Sequence, residues 1–111
     1  MIRPIPKRLL PHKCTYKEYQ GNNGEKDEWE DGTGLSFVKI EEKLQFKVTS
    51  NGRELVGNAR MFYDTVNSIG LNDKPVSNSI ILFNGKEYKI VDTDILYAEI
   101  DKAHHYEVLL K

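Results

Sequence analysis

The chain has 111 residues, of which 39% are hydrophobic and 30% charged, and carries a net charge of −1. This is one domain of ordinary size, too apolar for a disordered segment and without any apolar run near the roughly 20 residues of a membrane helix. The near-zero charge excludes a global attraction to nucleic acid or lipid, so electrostatic effects must come from local clusters.

The first such cluster opens the chain. "MIRPIPKRLLPHK" carries Arg3, Lys7, Arg8 and Lys13 with no acid, and Pro4, Pro6 and Pro11 interrupt it. Its apolar stretch "LL" is too short for the core of a signal peptide. Proline fixes φ and removes a donor, so residues 1–12 read as an extended basic arm that needs a surface to lie on. Cys14 is the only cysteine, which excludes an internal disulfide and fits synthesis in a reducing cytoplasm.

"CTYKEY" (14–19) reads as a first strand. Residues 20–34, "QGNNGEKDEWEDGTG", form a long connection holding Glu25, Asp27, Glu28, Glu30 and Asp31 against Lys26. Such a run is either a solvated face or a contact surface. Trp29 within it is either folded back as an anchor or presented to a partner. "LSFVKI" (35–40) is the next strand. In "LQFKVT" (44–49), Leu44, Phe46 and Val48 alternate with Gln45, Lys47 and Thr49, the pattern of a half-buried strand. Asn51-Gly52 then offers the two positive φ angles of a type I′ hairpin.

"ARMFYDTV" (59–66) is rich in aromatic and β-branched residues and predicts another strand. Residues 67–78, "NSIGLNDKPVSN", make a second long connection, and both long loops are expected to project. The strongest local signal is "IILFNGKEYKIV" (80–91). A two-residue turn at Asn84-Gly85 sets Phe83 opposite Lys86 and Ile81 opposite Tyr88, so that Ile81, Phe83, Tyr88 and Ile90 share a core face. "DILYAEID" (94–101) is ambiguous and admits a turn of helix. Six or seven short strands predict an all-β fold, a small antiparallel barrel or sandwich in one domain.

Catalytic patterns are weak. An EF-hand aligned on Asp27 puts Gly32 at its sixth position, but Trp29 and Val38 occupy ligand positions. "GTGLSF" lacks the lysine and helix of a phosphate loop. The terminal "DKAHHYEVLLK" is the remaining candidate. Strand alternation puts His104 with Tyr106, Val108 and Leu110, and His105 with Glu107 and Leu109, which separates the two rings. A metal hydrolase built on His105, Glu107 and Asp101 would need further ligands. The structural alternative has His104 facing inward onto a backbone carbonyl and His105 at the rim. No cofactor is expected.

Several of these pieces, in this order, resemble the minor capsid proteins of tailed bacteriophages and prophages of Gram-positive bacteria: "IRPIPKRLLPH", "CTYKEYQG", "NARMFYD", "IILFNGKEYKIVD" and "HHYEVLL". Asn84, Gly85, Tyr88, His104, His105 and Tyr106 fall within the last two. The hairpin followed by "HHYEV" is similar to head-closure, or stopper, proteins of the phage neck. The resemblance implies a small β-barrel forming a ring of its own copies, dodecameric in the virion and monomeric when isolated. It further implies a position below the portal and its adaptor, a platform for tail proteins, and a projecting loop that gates the DNA channel. Residues 20–34 are the candidate loop, and their carboxylates would repel packaged DNA, which is contacted non-specifically. The charge segregation suggests that Arg3, Lys7 and Arg8 of one copy meet the acidic loop of the next. Two other readings remain: a head- or tail-completion protein of the neck, and a barrel binding nucleic acid or a peptide through Tyr16, Tyr19, Phe62 and Tyr63.

Overall fold

The computed structural model describes residues 3–99 and 102–111. Pro6 leads into a single 3-10 turn, Lys7–Leu9, before the first strand. The strands among the described residues are β1 (His12–Lys17), β2 (Tyr19–Asn22), β3 (Asp27–Trp29), β4 (Thr33–Glu41) and β5 (Gln45–Thr49). They continue with β6 (Gly52–Gly57), β7 (Ala59–Asp64), β8 (Ile80–Phe83), β9 (Lys86–Glu99) and β10 (Lys102–Leu110). Six of them close into an antiparallel barrel in the order β1-β4-β7-β10-β9-β8, while β2–β3 and β5–β6 form separate two-stranded sheets. The all-β barrel expected from the sequence is the observed fold.

Alternation builds the core. Ala59, Met61 and Tyr63 of β7 point inward, as do Val108 and Leu110 of β10, Ile81 of β8, and Tyr88 and Ile90 of β9. Each fully buried aliphatic side chain contributes about 1.5–3 kcal/mol. On β4 the inward set runs Leu35, Val38, Ile40, out of simple alternation. Phe37 is the reason. It is the extra residue of a bulge, opposite the step between His12 and Lys13, and takes φ 56. Cys14 packs 4.0 Å from Met61 Sδ, and burial pushes its thiol up to about 12.

The Asn84-Gly85 hairpin forms as expected, with φ 54 and 75 and with Phe83 opposite Lys86 and Ile81 opposite Tyr88. Three other expectations need correction. "DILYAEID" is not helical: β9 continues extended through Glu99, beyond which the stretch lies outside the described residues. The loop 67–78 does not project but folds across one barrel end.

The third correction concerns β5 and β6. Their turn is Ser50-Asn51, with Thr49 opposite Gly52, so only Gly52 takes a positive φ. More importantly, the β5 apolar face is not in the core. Leu44, Phe46, Val48 and Leu55 are 59%, 45%, 82% and 49% exposed. The cause is topological. β4 and β10 already occupy both edges of β7, so no barrel edge remains for the segment between β4 and β7. It leaves the barrel as a free hairpin.

Candidate functional site

The strand registers give the barrel two distinct ends. At one, β1 ends, β4 begins and β7 ends. At the other, β4 ends, β7 begins and the Asn84-Gly85 turn lies.

The first end is capped by the segment 65–79. Tyr63 Oη accepts from Leu71 N–H at 3.0 Å and Tyr16 Oη accepts from Val76 N–H at 3.0 Å. Ser36 and Ile69 exchange two backbone bonds of 3.0 Å, and Pro75 is fully buried. Gly70 is required in this path. Its φ is 126, and a Cβ there would sit 2.4 Å from Gly34 O. Burial is the main cause that raises the pKa of both Tyr16 and Tyr63 above the usual phenol range.

The acidic stretch folds back onto this cap as the β2–β3 hairpin. Trp29 Nε1 donates to Asn78 O at 2.9 Å, and Tyr19 N–H donates to Ser79 Oγ at 2.9 Å. The indole also lies 5.7 Å from the Tyr19 ring. Of the two readings for Trp29, the anchor is the observed one. The hairpin tip is organised by Asn23 Oδ1, which accepts from Glu25 N–H and Lys26 N–H. Hydrogen bonds from Asn22 and then Tyr19 hold the Asp27 carboxyl below the usual range. Glu25, Asp27, Glu28, Glu30 and Asp31 all remain exposed.

Two clefts open beside the cap. One, of about 340 Å³, is lined by Tyr63, Thr65, Tyr106 and the segment 68–73. The other, of about 330 Å³, is lined by Tyr16, Glu18, Glu30, Thr33 and the segment 70–73. They share Gly70 to Asp73. The Tyr106 phenol is raised by burial and then by the Asp73 carboxylate, and both side chains line the first cleft.

The opposite end carries the β5–β6 hairpin, held only near its root. Arg60 Nε donates to Gln45 Oε1 at 3.1 Å and its Nη1 lies 3.3 Å from Glu107. Glu42 accepts from Tyr88 Oη and pairs with Lys86 at 2.9 Å. These partners, Tyr88 first, lower the Glu42 carboxyl. Burial and the Glu42 contact push Tyr88 up to about 12. Further out, Arg53 stacks on Phe46 at 4.5 Å.

The basic arm lies along its own barrel. Ile5 N–H donates to Asp64 Oδ1 at 2.9 Å, and Asn67 Nδ2 donates to Ile5 O at 2.8 Å. Asp64 Oδ2 also receives Val66 N–H and Asn67 N–H, at 3.0 and 2.7 Å. Leu10 is buried beside β7, whereas Arg3, Lys7 and Arg8 are exposed, with Lys7 Nζ 4.6 Å above the Phe37 ring. Sequence reasoning passed over Asp64. Its one signal was the Asp-x-x-Asn-Ser spacing of "DTVNS", typical of side chains bonding to nearby backbone.

The histidine pair departs from simple alternation. His105 shares the outer face with Glu107, bonding it at 3.0 Å, while Tyr106, Val108 and Leu110 face inward as expected. His104 does not join them. It is the bulged residue between Ala103 and His105, which brings its Nδ1 to 2.8 Å from His105 Nδ1. The expected separation of the rings is therefore wrong, although His104 does contact a backbone carbonyl, that of Arg3 on the arm. His12 is remote and structural, accepting from Ile40 N–H at 2.9 Å. Asp101, the third residue of the hydrolase reading, lies outside the described residues. Among the described residues no group of three or more His, Cys, Asp or Glu is placed to hold a metal.

The fold is thus a small closed barrel whose buried Asp64, Tyr16 and Tyr63 fasten an arm and a loop, and which leaves an apolar hairpin bare. The chain belongs to the minor capsid protein family, whose model matches residues 6–110. It is a structural component of a bacteriophage virion. No curated protein and no solved structure matches it.

Proposed function

We propose that this chain is a head–tail connector of the phage neck, a stopper that forms a ring below the portal, closes the DNA channel and presents the tail attachment surface. It does this as a scaffold, without catalysis or a cofactor. Family membership supports a virion role. The observation that carries the assembly role is the β5–β6 hairpin. An isolated two-stranded hairpin is marginal in water, and one with a bare apolar face needs a partner to cover it. The exposed carboxylates 25–31 are the candidate channel lining, where they would repel DNA phosphate. Deleting the gene from a producing phage tests this. Filled heads that lose their DNA and never acquire tails are the expected product, rescued by the wild-type chain. Normal tailed particles from the deletion would contradict the reading.

A further inference from the structure

Among the described residues, two groups of exposed apolar side chains lie at opposite ends of the barrel. Leu44, Phe46, Val48 and Leu55 lie on the β5–β6 hairpin. Val66, Ile69, Val76 and Tyr97 lie on the cap segment and β9 at the other end. The charges are segregated the same way. The hairpin, residues 43–57, has Lys43, Lys47 and Arg53 against Glu54 alone. The clefts at the capped end are edged by Glu18, Glu30 and Asp73.

The match extends to detail. Phe46 faces Leu55 and Val48 faces Arg53 across the hairpin, so one face presents apolar side chains with a guanidinium among them. The clefts present Ile69, Leu71 and Tyr106 with a carboxylate, Asp73, among them. Arginine suits this setting because its weakly hydrated, planar head tolerates partial burial beside a carboxylate. Hairpin and clefts sit at opposite ends of the barrel, so one chain cannot satisfy both. Two hairpins meeting face to face would instead bring together two segments that are both net positive, a like-charge contact.

We propose that the β5–β6 hairpin of one copy docks into the paired clefts at the capped end of a second copy of this chain. The contact is heterologous, so each copy keeps one unused hairpin and one unused cleft pair, and repetition closes into a ring or extends as a filament. A single such contact is weak. Ring closure makes the last contact intramolecular and raises its effective concentration, so copies gathered on a template would assemble at concentrations where a single contact does not hold. The contact goes beyond the neck reading and holds wherever in the virion the chain resides.

The test is a dilution series of amide NMR spectra of the full chain, from about 1 mM downward, where contacts as weak as about −4 kcal/mol register. Concentration-dependent shifts are expected together at Lys47, Val48 and Arg53 and at Ile69, Leu71 and Asp73. Val48→Asp and Ile69→Asp each remove both sets while the core resonances stay in place. Mixing labelled Val48→Asp with unlabelled Ile69→Asp restores the cleft set alone. Spectra independent of concentration overturn the proposal. So do shifts confined to the hairpin, which would mean that hairpins meet each other. Loss of the shifts in a Lys7→Glu, Arg8→Glu variant, but not in Val48→Asp, would transfer the contact to the arm and overturn it as well. Failure of the neck reading is seen separately, in where the chain sits in particles.

Discussion

Among the described residues, two hairpins form sheets separate from the barrel, one at each end. The β2–β3 hairpin is highly charged, yet Trp29 bonds Asn78 O and Tyr19 bonds Ser79, so it is bound to the cap. The β5–β6 hairpin is apolar on one face, yet its named side-chain ties reach only its root, through Gln45 and the neighbouring Glu42. Composition alone would reverse these roles, with the apolar segment inside and the acidic one free. What decides is the availability of partners: a polar hairpin with an anchoring indole finds its own chain, whereas an apolar one excluded from a closed sheet stays exposed. The difference separates residues tied to their own chain from residues left exposed, which is what the proposed contact between copies would use.

That division can be broken by substitution, and the largest effect belongs to the fastening side. Asp64→Ala removes the buried carboxylate that accepts from the partly buried Ile5, Val66 and Asn67 N–H groups, at about 1–3 kcal/mol for each donor that water does not reach. A total loss of roughly 3 kcal/mol or more in urea unfolding, with release of the arm to proteolysis, is expected. A change below about 0.5 kcal/mol would show that the arm is not fastened there.

Trp29→Ala should come next, costing about 1–2 kcal/mol through the lost bond and buried ring surface. Hydrogen exchange across residues 19–29 should rise while the barrel strands stay protected. If exchange is unchanged, the acidic hairpin does not depend on its indole.

The hairpin root makes a pH prediction. Glu42 has its carboxyl pKa lowered in the folded state, so its contribution is fully present above the ordinary carboxylate value and fades as pH falls through the lowered one. Tyr88 behaves oppositely. With its folded pKa raised to about 12, its contribution is full below the ordinary phenol value and is lost as pH rises through about 12. Glu42→Gln should therefore flatten the acid limb of the stability curve and bring the Tyr88 titration down. An unaltered acid limb would remove Glu42 from the root clamp.

The smallest effect on folding belongs to the bare hairpin. Val48→Ser should change stability by no more than about 0.5 kcal/mol, because the side chain is 82% exposed. A loss above about 1.5 kcal/mol would mean that the hairpin face is covered by its own chain.

Much of the barrel was legible in the sequence because local chemistry and tertiary demand agree there. Asn84-Gly85 takes the positive φ angles its turn needs, and the alternation of Met61 and Tyr63 or of Val108 and Leu110 reports true burial. The β5 strand was legible as a strand but not in its destination. Alternation at Leu44, Phe46 and Val48 says which side chains share a face, not what that face meets, and closure of the barrel is a property of six strands together. His104 was misplaced for a related reason. A single bulged residue reverses alternation, and neither Ala103 nor His104 is a glycine that would signal it. The arm was recognised as extended, but its surface was not, since Asp64 and Asn67 bind it through backbone groups that carry no sequence pattern. The acids Glu25, Asp27, Glu28, Glu30 and Asp31 and the cations Arg3, Lys7 and Arg8 are exposed, and so is the apolar face of β5 that its alternation reads as half-buried.

The central claim is that this barrel is a connector of the phage neck, and a cryo-electron microscopy map of particles from a phage that encodes the chain tests it most directly. The predicted result is a ring of copies of this barrel below the portal, at the head–tail junction. Finding the chain in the capsid shell or the distal tail, or a neck with no density that fits the six-stranded barrel, would contradict it.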